Sequence, residues 1–198
     1  MIRELDVSML PTYAYGNRAL TWWGTMSMVV IEGTVFLGAI AAYFYLRLRV
    51  PDWPPTGSPP SLVWGSAAVA VLVLSGLPNH WTKRRSEQED LRGSRVGLWI
   101  CVAFGAALLV LRIFEYGALN TTYTDSAYGS IVFALLTLHT VHLLTDFIDT
   151  VVLAVLLQKG PFEGRRFVDV SENCLYWWFV VLSWVPIYLT LYVAPRVL

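Results

Sequence analysis

The sequence predicts an all-α integral membrane protein, a bundle of five transmembrane helices in a single membrane domain, residues 1–198. Hydrophobic residues make up 56% of the chain and charged residues only 14%, against about 45–50% and about 25% in soluble domains. Five apolar stretches are each long enough to cross roughly 30 Å of hydrocarbon. The predicted spans are approximately residues 21–46, 61–78, 96–117, 128–157 and 174–193.

The connections between the predicted spans are polar or rich in turn-forming residues. The first, residues 49–60, is proline-rich and cannot be helical. The second, residues 83–92, and the fourth, residues 159–166, are charged and belong in water. The sequence shows no internal repeat. We also predict no cleaved signal peptide, because the first residues are mixed polar, with Arg3, Glu4 and Asp6 where a basic start and an apolar run would be needed.

Positive charges predict the orientation of the bundle. The first and third connections and the C-terminus hold Arg47, Arg49, Arg112 and Arg196. The N-terminus and the other two connections hold Arg3, Arg18, Lys83, Arg84, Arg85, Arg92, Arg95, Lys159, Arg165 and Arg166. This asymmetry predicts a cytoplasmic N-terminus and a C-terminus outside. Tryptophans mark the predicted membrane boundaries, at Trp22, Trp23, Trp53, Trp64, Trp81 and Trp99.

The most informative polar residues lie inside the fourth predicted span. His139, His142, Asp146 and Asp149 are spaced 3, 4 and 3 residues apart, so a helix places them along one stripe. Ionisable groups at bilayer depth are costly and mark lipid, proton or protein contacts. We predict lipid-binding or proton-linked roles for all four. Two histidines at this spacing could share a metal ion, but the chain has only 3 histidines, so hydrogen bonding is favoured over metal binding.

Other polar residues in the spans predict contacts rather than catalysis. Glu32 lies near the middle of the first span, where it is either a polar contact between helices or a lipid-headgroup or proton-linked group. Glu115 and Tyr116 end the third span and are predicted structural contacts. Cys101 and Cys174 form neither a disulfide framework nor a metal motif, and a formal net charge of zero gives no indication of nucleic-acid binding.

The residues also exclude several redox functions. Two histidines this close on one helix cannot bind haem from opposite faces, and three histidines are too few for a haem–copper centre or a membrane di-iron hydroxylase. We therefore predict no catalytic, metal or cofactor site in this chain. The residues alone leave open a structural subunit, a small transporter or a proton channel.

Several sequence blocks, in order, resemble subunit III of the haem–copper oxidases, the cytochrome c and bacterial quinol oxidases. The resemblance extends from about residue 22 to about residue 192. It is carried by residues 32–36 and 43–47, Glu115 with Tyr116, Tyr128 with Ser130, His139 with His142, and residues 175–184.

The resemblance implies a non-catalytic subunit of an oxidoreductase complex. Haem and copper would lie in partner subunits, the catalytic subunit I and the copper-binding subunit II, and a small subunit IV is a further candidate partner. This chain would hold structural phospholipid near Glu32 and support proton uptake, while Glu115, Tyr116, Tyr128 and Ser130 would make structural polar contacts. A five-helix form implies a multi-pass protein of a bacterial plasma membrane.

This sequence departs from the family pattern at three positions. Trp178 and Val181 stand where the last helix usually carries His and Asp, and Arg112 stands where Gln usually precedes the Glu-Tyr pair. These changes indicate a divergent branch. Two alternatives stay open: an accessory protein of a nitric oxide reductase, and a stand-alone proton or small-solute transporter that uses Glu32 and the histidine stripe. The sequence indicates neither the electron donor nor proton pumping.

Overall fold

The computed structural model describes residues 13–55, 59–160 and 164–197, and these contain helices and no strand. The five long helices are α1 (Leu20–Arg47), α2 (Leu62–Glu87), α3 (Leu91–Gly117), α4 (Ala127–Lys159) and α5 (Arg165–Tyr188). A π-helical turn, Leu189–Val193, and the short helix α6, Ala194–Val197, continue α5. All five helices are long and apolar enough to cross a membrane, which confirms the predicted fold class.

The helices extend beyond the apolar stretches that predicted them. The charged segment 83–92 is mostly helical, because α2 continues to Glu87 and α3 begins at Leu91. Local contacts support this extension: Lys83 pairs with Glu87 one turn later at 3.2 Å, and the Asp90 side chain caps α3 by accepting from the Gly93 amide at 3.0 Å. Hydropathy detected only the membrane-length part of each helix. The first connection is non-helical at residues 48–55 and 59–61, as predicted.

The helices are arranged as a group of four with one helix outside. α2 packs on α3 and α5, and α4 packs on α3 and α5, so these four helices form a ring of neighbours. Among the long helices in the described part of the chain, α1 packs mainly against α4 and α5. Just two of its 28 residues, Phe36 and Tyr43, are buried, so most of α1 faces away from the bundle.

Small residues let the inner helices approach closely. A methyl group at Gly97 would lie 2.2 Å from Thr82 Oγ1, so α2 and α3 touch here only because the residue is glycine. At Gly76 a methyl group would lie 2.7 Å from the ring of Trp178, one of the positions that depart from the family pattern. Trp178 therefore packs α5 onto α2.

The two ends of the bundle differ in charge. We call the basic end the one at which α1, α3 and α5 begin and α2 and α4 end. Its described cationic residues are Arg18, Lys83, Arg84, Arg85, Arg92, Arg95, Lys159, Arg165 and Arg166. This is the end that the charge pattern predicts to be cytoplasmic.

Candidate functional site

The four polar residues of α4 do not share one environment. His139 is fully buried and Asp146 is 2% exposed, whereas His142 is half-buried and Asp149 is exposed. His139 faces α3 and α5, His142 faces α1, and the two aspartates line a cleft nearer the basic end. A stripe that is continuous along α4 thus meets different neighbours at each level of the bundle.

His139 belongs to a buried ionic cluster, which we define as Arg112, Glu115, His139 and Tyr192. Arg112 Nη1 donates to Glu115 Oε2 at 2.6 Å, and both side chains are almost fully buried. Arg112 Nη2 lies 3.0 Å from His139 Nδ1. Because arginine can only donate, Nδ1 must accept, and the ring proton is on Nε2. His139 Nε2 then donates to the Val180 carbonyl at 3.0 Å, so the imidazole is neutral.

The last helix completes the ionic cluster. The Tyr192 hydroxyl donates to Glu115 Oε1, and the Arg112 guanidinium lies 4.1 Å from the centre of the Trp184 ring, a cation–π contact. Tyr192 lies in the π-helical turn, where the wider turn buries Thr190, Leu191 and Tyr192 in succession. The cluster therefore ties α3 and α4 to α5 and its extension.

The position of Arg112 differs from the one expected from the sequence. The charge count placed Arg112 with the outer third connection. It lies inside α3 and is 3% exposed. Burial is tolerated because Glu115, three residues later on the same helix face, supplies the opposite charge. That spacing was the signal that could have revealed the pair. Removing Arg112 from the count leaves the predicted orientation unchanged.

Glu32 makes its contacts with α4 and α5. The Tyr176 hydroxyl donates to Glu32 Oε2 at 2.6 Å, and His142 Nε2 lies 3.7 Å from the same oxygen. His142 Nδ1 donates to the Leu138 carbonyl at 2.6 Å, which fixes the ring and directs Nε2 toward Glu32. The ring of Phe36 packs against His142 with centroids 4.9 Å apart. Glu32, His142 and Tyr176 thus form one polar group between three helices.

A cleft of about 390 Å³ lies between α1, α4 and α5 toward the basic end. We call it the acidic cleft, because its lining includes Asp146, Asp149, Asp169 and Glu172. Asp146 and Glu172 are 2% and 7% exposed. The hydroxyls of Thr150 and Thr25 lie beside them, but none of the four carboxylate oxygens accepts a hydrogen bond of standard geometry from the described residues. The remaining lining residues are Thr21, Thr25, Met28, Thr145, Val152, Leu153, Asn173 and Tyr176.

Metal binding and arginine pairing find no support in this geometry. Within residues 13–55, 59–160 and 164–197, no three His, Cys, Asp or Glu side chains come together as a metal site would require. No ion pair joins Asp146 or Asp149 to an arginine in the same ranges. Glu172 was not predicted from the sequence, because α5 begins at Arg165 rather than near residue 174.

The other predicted structural residues make separate contacts. Tyr116 Oη lies 2.8 Å from Thr137 Oγ1, which joins α3 to α4, and Ser130 Oγ donates to the Tyr123 carbonyl at 2.7 Å. Tyr128 differs: its hydroxyl has no hydrogen-bond partner in the described part of the chain, and its ring packs edge-on against Trp53 at 5.0 Å. Its contact is thus aromatic.

Asp125 and Tyr15 are two of the titratable groups outside the helices whose pKa values are shifted. Side-chain and backbone donors of Thr122, at 2.6 and 2.7 Å, lower the pKa of Asp125 in the loop between α3 and α4. Burial, with help from the nearby Glu89 carboxylate, raises the pKa of Tyr15 to about 12. The Tyr15 hydroxyl donates to the Ser86 carbonyl at 3.4 Å, so it links the segment before α1 to the end of α2.

Comparisons with known proteins agree with this architecture. A family model described as cytochrome c oxidase subunit III matches residues 12–195. Cytochrome c oxidase subunit 3 of Synechocystis sp. is 26% identical over 196 residues, covering 96% of this chain and 83% of the relative. That of Thermostichus vulcanus is 25% identical over 176 residues, covering 87% of each. The resemblance is confirmed: this chain belongs to the cytochrome c oxidase subunit III family.

Proposed function

We propose that this chain is the non-catalytic subunit III of a bacterial respiratory terminal oxidase. In this role it stabilises the catalytic subunit, binds phospholipid and supports proton uptake during oxygen reduction. Membership of the family already makes it a subunit III of a haem–copper oxidase. The observation that carries the finer proposal is the acidic cleft together with Glu32, since both bring carboxylates to the interface of α1 with α4 and α5.

A lipid-binding role is supported by the surface of α1. Apolar side chains such as Val30, Ile31, Val35 and Leu37 are more than half exposed and face away from α4 and α5. In a membrane such a surface is covered by acyl chains or by a neighbouring subunit. The acidic cleft opens beside this surface, because Thr21, Thr25 and Met28 of α1 form one of its walls.

A proton-linked role is supported by the continuity of polar groups between α1, α4 and α5. Asp149 is exposed at the cleft and Asp146 is buried within it. Tyr176 also lines the cleft, and its hydroxyl donates to Glu32. Carboxylates and a phenol thus line one cleft between its exposed side and the group around Glu32, which supports a role in proton collection.

The proposed partners follow from the family. Haem and copper would be supplied by the catalytic subunit I and the copper-binding subunit II, with a small subunit IV as a further candidate, because this chain carries too few histidines for such centres. The proposed location is the bacterial plasma membrane. The basic end would face the cytoplasm, in agreement with the distribution of lysine and arginine.

The proposal is tested by purifying the complex from its native membrane through a tag on this chain. We expect haem absorption bands and co-purifying subunits I and II. A core without a copper-binding subunit would favour the nitric oxide reductase alternative. A colourless protein that arrives alone, while other respiratory complexes stay intact, would contradict both and favour a transporter.

The role of Glu32 is tested in the same complex by measuring oxygen consumption over repeated turnovers. Glu32→Gln keeps the size of the side chain and removes its charge, so we expect faster loss of activity with an unchanged haem spectrum. Asp52→Asn, an exposed carboxylate at the opposite end, is the matched control. Equal behaviour of the two variants would contradict a proton-linked or lipid-linked role for Glu32.

A further inference from the structure

Three buried polar atoms lie without a partner at the end of the bundle opposite the basic end. They are the hydroxyl oxygens of Tyr43 and Tyr128 and the indole nitrogen of Trp53, and none of them makes a hydrogen bond of standard geometry to the described residues. Tyr43 is fully buried, and Tyr128 is 1% exposed. Because a buried donor without an acceptor is destabilising, an acceptor from outside the chain would stabilise this region.

The three side chains lie together, although they come from three different segments. Tyr43 is near the end of α1, Trp53 is in the first connection, and Tyr128 is in the first turn of α4. The Trp53 ring contacts both tyrosine rings edge-on, with centroids 5.3 Å from Tyr43 and 5.0 Å from Tyr128. The Trp53 N–H lies beside the Tyr43 hydroxyl, and the two hydroxyls are close enough to interact electrostatically. We call these three residues the aromatic donor site.

Two arginines act on the aromatic donor site. Arg47, at the end of α1, interacts electrostatically with the Tyr43 hydroxyl, and Arg196 does so with the hydroxyl of Tyr128. Neither arginine forms an ion pair within residues 13–55, 59–160 and 164–197. The carboxylate of Asp52, in the first connection, is exposed to solvent. The charges near the site therefore favour a negative ligand over a positive one.

The hydrogen-bonding capacity of the site distinguishes an anion from a water molecule. Each phenol and the indole offer one hydrogen, so the site presents three donors. A water molecule accepts two hydrogen bonds and brings two donors of its own, for which the only acceptors in the site are the phenol oxygens. A halide ion only accepts, so it leaves no new donor without a partner. The edges of the aromatic rings carry partial positive charge and also favour an anion.

We propose that the aromatic donor site binds one small monovalent anion of the halide class, such as chloride, which accepts from the Tyr43 and Tyr128 hydroxyls and the Trp53 N–H. The bound anion joins α1 and the first connection to α4. Tyr43 is one of the two buried residues of α1, so this link holds the second half of that helix to the bundle. The inference does not depend on the lipid and proton roles proposed above.

The first test locates the anion in the unaltered complex. Crystals of the oxidase, purified through a tag on this chain, are soaked in sodium bromide, and diffraction is measured at the bromine absorption edge. We expect an anomalous difference peak between Tyr43, Trp53 and Tyr128. No anomalous peak at this position, with or without density for a water molecule, would overturn the proposal.

The second test measures whether chloride stabilises the protein in solution. Thermal release of this chain from the purified complex is followed while chloride replaces gluconate at constant ionic strength. A ligand that binds only the folded state stabilises it, so the midpoint should rise by roughly 3 °C when chloride reaches about ten times its Kd. A midpoint that does not change with chloride concentration would overturn the proposal.

Variants assign the effect to the aromatic donor site. The double variant Tyr43→Phe, Tyr128→Phe keeps both rings and removes two donors, so the chloride dependence and the bromide peak should both be lost. Tyr45→Phe is the matched control, because Tyr45 is on the same helix and 58% exposed. If the double variant does not assemble, Tyr128→Phe alone should need about tenfold more chloride, since one hydrogen bond to a charged group is lost. An unchanged response in either variant would overturn the proposal.

Discussion

The buried ionic cluster and the acidic cleft both contain buried charged side chains, but they differ in whether those side chains have partners within the chain. In the cluster, the Arg112 cation meets Glu115, His139 and the ring of Trp184, and Glu115 also accepts from Tyr192. In the cleft, Asp146 and Glu172 are nearly as buried, yet they have no cationic partner and accept no hydrogen bond of standard geometry from the described residues. The first group is complete within the chain, and the second is not.

This difference separates polar residues that hold helices together from polar residues that face a partner outside the chain. A membrane interior gives no water to an unpaired group, so a set of charges that pair with each other holds helices together. Carboxylates that lack partners and line an open cleft are instead expected to meet a lipid, a proton or another subunit. Substitutions in the two regions should therefore change stability in opposite directions.

The largest effect is expected from Arg112→Leu, which breaks the ionic cluster. Glu115 would be left as an uncompensated buried charge, a change that typically destabilises a protein by about 3–5 kcal/mol. Thermal unfolding of the purified complex and the yield of assembled subunit would report it. Arg92→Leu, an exposed arginine of the same helix, serves as the control. Similar stability of the two variants would show that the cluster does not hold the bundle together.

A smaller loss is expected from His139→Ala. It removes two buried hydrogen bonds and leaves the Val180 carbonyl and one Arg112 donor without these partners, which corresponds to about 1–3 kcal/mol. His142→Ala is the matched control on the same stripe, because His142 is half-buried and contacts α1 rather than the cluster. Denaturant unfolding should rank His139→Ala as the more damaging variant. Greater destabilisation by His142→Ala would contradict the conclusion that His139, and not His142, belongs to the buried ionic cluster.

Asp146→Asn should change stability in the other direction. In lipid-depleted detergent the unpartnered Asp146 carboxylate is destabilising. Its replacement by a neutral amide should therefore raise the free energy of unfolding by about 1 kcal/mol. Glu115→Gln, which neutralises a partnered carboxylate, is the contrasting variant and should lower stability. Thermal unfolding of both variants measures the sign. A loss of stability in both would remove the distinction between cluster and cleft.

The smallest effect is expected at Tyr15, outside the membrane helices. Its pKa is raised to about 12, so the neutral hydroxyl contributes stability that is fully present below about pH 10 and is lost as the pH rises through 12. Ultraviolet absorbance of tyrosinate during an alkaline titration follows this group, with Tyr15→Phe as the reference. A tyrosine difference spectrum that titrates near pH 10 would show that Tyr15 is not held against Ser86.

The fold was predictable because five helices must each be apolar over a membrane length. The site was only partly predictable, since α4 meets α1 and α5 at different levels. Glu172 was missed because the start of α5 is amphipathic: Phe167, Val168 and Val170 are buried between polar residues, a pattern of helical periodicity that a hydropathy window averages away. The burial of Tyr192 could not be predicted from helical periodicity, because Tyr192 lies in the π-helical turn, which departs from the regular 3.6-residue period.

The central place of α5 has a consequence for biosynthesis. It contacts α1, α2 and α4, and it is the last of the five spans to leave the ribosome. Until α5 enters the membrane, Arg112 lacks its contact with the Trp184 ring, and His139 lacks its hydrogen bond to the Val180 carbonyl. Glu32 likewise lacks the hydrogen bond from the Tyr176 hydroxyl. A nascent chain of four helices would therefore expose polar groups to lipid, the kind of feature by which membrane quality control distinguishes unfinished subunits from finished ones.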